Sequence, residues 1–101
     1  MSDAAILYSL FESEEDAKRV ARTLVEEELV GCANIGAGVT SIYRWHGALE
    51  EAREVPVLFK LAPERLEAAK ARLADLHPYD EPAILHWTAG SSAGYAAWLR
   101  R

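Results

Sequence analysis

Residues 33–47 read Ala33-Asn34-Ile35-Gly36-Ala37-Gly38-Val39-Thr40-Ser41-Ile42-Tyr43-Arg44-Trp45-His46-Gly47. Cys32 to Ile35 begins a strand, and the glycines at 36 and 38 allow a bend or bulge. From Val39 to Trp45 a β-branched or aromatic residue stands at nearly every second position, the pattern of a pleated surface. His46-Gly47-Ala48 then reads as a turn, and a return strand runs from about Arg53 to Leu61. Fully extended, Ala33 to Trp45 would span roughly 40 Å, whereas ordinary strands reach about 20 Å. A hairpin of that length overhangs a domain whose radius of gyration is about 13 Å. Its far end carries Tyr43 and Trp45, large rings that need a cover. Self-association follows.

On either side of this hairpin the chain alternates strand and helix signals. Ala4 to Phe11 is an apolar run broken only by Ser9, which suits a central strand. Ser13 before Glu14, Glu15 and Asp16 is a helix start, because free amides and the helix dipole both favour those residues. Ala17, Val20, Ala21, Leu24 and Val25 follow at helical spacing, and this helix should end near Leu29–Gly31. Pro56 is awkward in the return strand, since it has no N–H for a ladder; a bulge or an unpaired edge must accept it. Pro63 opens a second helix whose buried face is Leu66, Ala69, Leu73 and Leu76, and Pro78 closes it. Ala83 to Thr88 is a fourth strand. Gly90-Ser91-Ser92 leads into a short helix, Tyr95 to Arg101, with Trp98 and Leu99 facing inward. The order βαββαβ plus a C-terminal helix predicts an α+β, ferredoxin-like sandwich with an antiparallel sheet, and residues 1–101 read as one domain.

The 101 residues are half hydrophobic, with a formal net charge of −5. That balance opposes a nucleic-acid surface, which needs clustered Lys and Arg. No apolar run approaches the roughly 20 residues of a membrane span, and the first residues lack the basic and apolar regions of a signal peptide. Cys32 is the single cysteine, so there is no internal disulfide, and a reducing cytoplasm is expected.

Several short stretches are similar to consecutive signatures of the CutA family. They are Leu24-Val25-Glu26, Leu29-Val30-Gly31-Cys32-Ala33-Asn34-Ile35, Ser41-Ile42-Tyr43-Arg44-Trp45-His46-Gly47 and His77-Pro78-Tyr79-Asp80-Glu81-Pro82, with Tyr95 and Trp98 further on. The resemblance covers about residues 5 to 99 and implies a ferredoxin-like subunit in a compact homotrimer, its long hairpins pairing with neighbours. The architecture it implies is similar to that of PII signalling proteins. It also implies a role in divalent-cation tolerance, with copper binding reported for some family members. Ser9 stands where some members carry a cysteine, and Ala83 where a glutamate is expected after the second proline. Lys60 matches the family, and Leu61 stands where a threonine is common. With a thiolate and a carboxylate gone, His77 and Glu81 on one turn are the metal-ligand candidates for a divalent ion such as copper. Tyr43, Trp45, Tyr79 and Trp87 are the expected trimer contacts.

Enzyme readings find little support. His46, His77 and His86 show no local metal-ligand spacing. Nothing in Gly31-Cys32-Ala33 activates a thiol. The loop Glu12-Ser13-Glu14-Glu15 would repel the phosphate that acylphosphatases of this fold class bind. No P-loop, dinucleotide fingerprint or nucleophile elbow is present. The expected function is therefore non-enzymatic. The alternative is a PII-like sensor binding a small anion or nucleotide between subunits, which would need Arg44, Lys60 and Arg65 in one cleft.

Overall fold

The computed structural model describes residues 2–101. The elements are β1 (Asp3–Phe11), α1 (Glu14–Glu26), β2 (Cys32–Ile35), β3 (Val39–Trp45), β4 (Ala48–Leu61), α2 (Leu66–Leu76), β5 (Leu85–Gly90) and α3 (Ala93–Leu99). A 3-10 turn, Pro63–Arg65, leads into α2. The sheet order is β2-β4-β1-β5, with β3 pairing the outer half of β4, and every pairing is antiparallel. This is the expected α+β, ferredoxin-like arrangement.

Alternation along β1 sets the layers. Leu7, Ser9 and Phe11 are fully buried, while Ile6, Tyr8 and Leu10 between them are only partly covered. The buried parity continues in Val57, Phe59 and Leu61 of β4 and packs on Val20 and Leu24 of α1 and Leu73 of α2. Ser13 caps α1 as expected, its Oγ accepting from the Asp16 amide at 3.1 Å. Just beyond the helix Glu28 takes a left-handed φ of 61°, and its amide donates to the Val25 carbonyl. At the other end of the core, Pro78 holds His77 in an extended conformation (φ −70°, ψ 132°), which stops α2 there.

The first arm and the turn of the hairpin lie as expected, and the return strand is longer. β4 starts at Ala48 rather than near Arg53, because His46 (φ 49°) and Gly47 (φ 81°) form a tight two-residue turn of the I′ kind. Trp45 therefore pairs Ala48 at once, and the ladder runs back to Val39 opposite Glu54. The arms project, so the chain measures 45 × 24 × 23 Å with a radius of gyration of 14.3 Å. Pro56 is accepted by a bulge: Ile35 pairs Val57 and Val39 pairs Glu54, so the three residues 36–38 face only Val55 and Pro56. It pairs Leu10 of β1, and its carbonyl accepts from the Gly36 amide at 2.9 Å on the other side. In an antiparallel strand the N–H lies on the same side as the C=O. The missing donor thus faces the break between β2 and β3 rather than a regular ladder position.

Two further expectations shift. The last strand begins at Leu85 instead of Ala83, because the Ala83 carbonyl is taken by the Ser9 hydroxyl at 2.7 Å. The terminal helix spans Ala93–Leu99 rather than 95–101, its start fixed by Ser92, whose Oγ accepts from the Tyr95 amide at 3.4 Å. Leu99 does face inward, with Ala96, but Trp98 stays 42% exposed. Gly31 lets α3 lie close: a Cβ there would meet Leu99 Cδ2 at 2.7 Å.

Candidate functional site

The turn 77–82 lies where α2 returns to the sheet, and its side chains are tied to β1 and β4. His77 is 7% exposed and stacks on Phe11, ring centroids 4.3 Å apart and planes 11° from parallel. Its Nδ1 accepts the Tyr79 amide at 3.2 Å, so that nitrogen carries no proton. Nε2 then carries it and donates to the Leu10 carbonyl at 2.9 Å. Burial holds the imidazole below the usual histidine range, opposed by the Leu10 hydrogen bond and the Asp16 and Glu54 carboxylates. A neutral ring with both nitrogens engaged offers no free lone pair. A metal on His77 would have to displace the Tyr79 amide or the Leu10 carbonyl.

Tyr79 is the second anchor. Its hydroxyl donates to Glu54 Oε2 at 2.9 Å, linking the turn to β4, and burial together with that carboxylate pushes the phenol well above its ordinary range. Asp80 and Glu81 point to solvent beside these fixed groups. His46 is at the hairpin tip, edge-on to Trp45, and His86 lies on β5 with Nε2 3.4 Å from Lys70 Nζ. Among the described residues no group of three or more His, Cys, Asp or Glu side chains is placed to hold a metal ion.

The broad feature is a bare sheet face. Opposite the parity that packs on α1 and α2, Tyr8 lies between Leu58 and Leu85, and Ile6 between Lys60 and Trp87. Leu58 is 36%, Leu85 56% and Trp87 48% exposed. Tyr43 and Trp45, on the projecting arm, are exposed to a similar degree, and Tyr79 is half-buried. Leu58, Leu85 and Glu54 were not among the residues the sequence singled out. Strand alternation signals the first two, whereas Glu54 is visible only once the turn is docked. The three basic residues of the anion reading are scattered. Arg44 donates to Gly47 at the hairpin tip, and Arg65 donates to the Leu99 and Arg100 carbonyls. Lys60 lies at the inner end of β4, opposite Ile6.

Comparison with known proteins agrees with this architecture. The family model described as CutA1 divalent ion tolerance protein matches residues 5–101. The divalent-cation tolerance protein CutA of Thermus thermophilus is 43% identical over 89 residues, covering 87% of this chain and 86% of the relative. That of Pyrococcus horikoshii is 37% identical over 95 residues, covering 93% and 92%. The crystal structure of the divalent ion tolerance protein CutA1 from Ehrlichia chaffeensis superimposes with a TM-score of 0.94 at 29% identity, over 99% of this chain and 94% of that one. With a shared fold and a match over nearly the whole length, the chain belongs to the CutA1 divalent ion tolerance protein family.

Proposed function

We propose that this protein is a cytoplasmic, non-enzymatic homotrimer that serves divalent-cation tolerance, copper included, through surfaces shared between subunits. The bare apolar sheet face, continuous with the overhanging hairpin, carries the reading. Exposed apolar area of this kind stabilises by roughly 25 cal/mol for each Å² removed from water, so copies gain by covering it. A trimer brings the 77–82 turn of one subunit beside a neighbour's strands. Glu81, with Asp80 next to it, then presents carboxylates at a junction that a neighbour's groups complete. His77 contributes by fixing the turn, since its nitrogens are already engaged. Because no group of three or more His, Cys, Asp or Glu side chains gathers there among the described residues, modest affinity is expected. Calorimetric titration of the oligomer with copper, zinc and nickel salts tests this. Measurable copper binding that weakens several-fold in Glu81→Gln, with the oligomer intact, is expected. Binding unchanged by Glu81→Gln would place the ion elsewhere. The alternative, a PII-like sensor with its ligand between subunits, has no observation in its favour, and two of its three basic residues are engaged by carbonyls of their own chain, Arg44 by Gly47 and Arg65 by Leu99.

A further inference from the structure

The sheet face and hairpin are not the only apolar surface without a cover. Two hollows adjoin along the C-terminal half of α1 and share Val25. The first, about 360 Å³, is floored by Ala21, Ala33 and Ile35, between the helix and β2, the end strand of the sheet. The second, about 250 Å³, lies between Val30 and Trp98 of α3. Val25 is 41% and Trp98 42% exposed, so these two side chains give the hollows a wetted apolar surface.

The charge along this strip is the reverse of the chain's. Lys18, Arg22, Arg65 and Arg101 line it against only Glu26 and Glu28, whereas the whole sequence has 11 basic and 16 acidic residues. Arg22 makes no ion pair among the described residues. Lys18 meets Glu14 only at 3.9 Å, both side chains more than half exposed, a pairing that counts for little in water. Lys18 and Arg22 are one helical turn apart and both border the first hollow. Arg65 is held in place by the carbonyls of Leu99, Arg100 and Arg101.

We propose that this trough binds an extended acidic segment of a partner protein, its carboxylates against Lys18 and Arg22 and an aliphatic side chain on Val25 and Trp98. The dimensions fit a peptide. From Lys18 to Glu28 the helix and its end cover about 15 Å at 1.5 Å per residue. Four or five residues of extended chain span the same length at about 3.3 Å each. A nucleic acid would meet Glu26 and Glu28 in the wall and a net charge of −5 around it. Complementary charge would steer the segment, and the apolar contacts would retain it. The trough is distinct from the bare sheet face, so the inference does not depend on the metal reading.

The test is fluorescence anisotropy of a labelled seven-residue peptide alternating Asp or Glu with Leu or Val, titrated with the intact oligomer. Saturable binding is expected, weakened about fivefold by Arg22→Glu and weakened again by added salt. A peptide with lysines in place of its acids should not bind. Trp98→Ala provides a second, charge-independent arm and should also weaken binding. Circular dichroism and light scattering establish that each variant keeps its fold and mass. No binding at millimolar protein, or equal binding by wild type, Arg22→Glu and Lys18→Glu, overturns the proposal. A change of oligomer mass in Arg22→Glu overturns it too, by making the trough a contact between copies.

Discussion

At the scale of single residues, His77 shows how one side chain can hold a turn without being a ligand. Its ring bridges Leu10, 67 positions earlier in the chain, and the amide of Tyr79 two positions later. Only the neutral ring can do both, and burial lowers its proton affinity against the opposing pull of the Leu10 carbonyl, Asp16 and Glu54. The unfolded chain therefore binds a proton more readily than the folded one. The stability this group confers is complete above the unfolded histidine value of about 6.5, and is lost as the pH falls toward the lower folded value. Wild-type protein should lose resistance to urea between about pH 7.5 and 5.5, and His77→Gln should show a flatter dependence over that window. An equal slope in both would assign the acid sensitivity to other groups. The sequence marks His77 as a residue of interest, but its partners come from β1, so a ligand role and an anchoring role look alike until the fold closes.

Among the elements, those with strong local chemistry were legible. Ser13 and the acids after it announced α1, and the apolar run 4–11 announced the central strand. The first half of β4 was not, because Leu49-Glu50-Glu51 lacks strand character and is held by pairing with β3 across the turn. The displaced start of β5 has the same kind of cause, a Ser9 hydroxyl competing for a carbonyl. Helix α3 depends on close approach. Gly31 lies against Leu99, which is 1% exposed and has no room to retreat, and a Cβ would also come within 3.4 Å of the Trp98 ring. Gly31→Ala should cost about 1–3 kcal/mol by overpacking. Urea denaturation followed by circular dichroism would measure the loss, with tryptophan fluorescence reporting the shift of Trp98. A variant as stable as wild type would mean that α3 moves aside freely.

For the whole molecule, the length of the hairpin and its aromatic end were readable from residues 33–47, and the structure gives them a direction. The arms extend a sheet whose uncovered side already exposes Leu58, Leu85 and Trp87. Alternation signals which residues of one strand share that side, but which of them meet across strands was hidden in the sequence, because it depends on strand register and on Pro56 falling at the break between β2 and β3. The proposed cation site was less legible still, since no group of three or more His, Cys, Asp or Glu side chains gathers among the described residues. All of this rests on copies covering the face. Light scattering coupled to gel filtration at micromolar concentration measures the point directly. A mass three times that of the 11.2 kDa chain is expected, and Trp45→Asp should reduce it by placing a charge in a desolvated contact. A wild-type mass equal to a single chain would contradict the account.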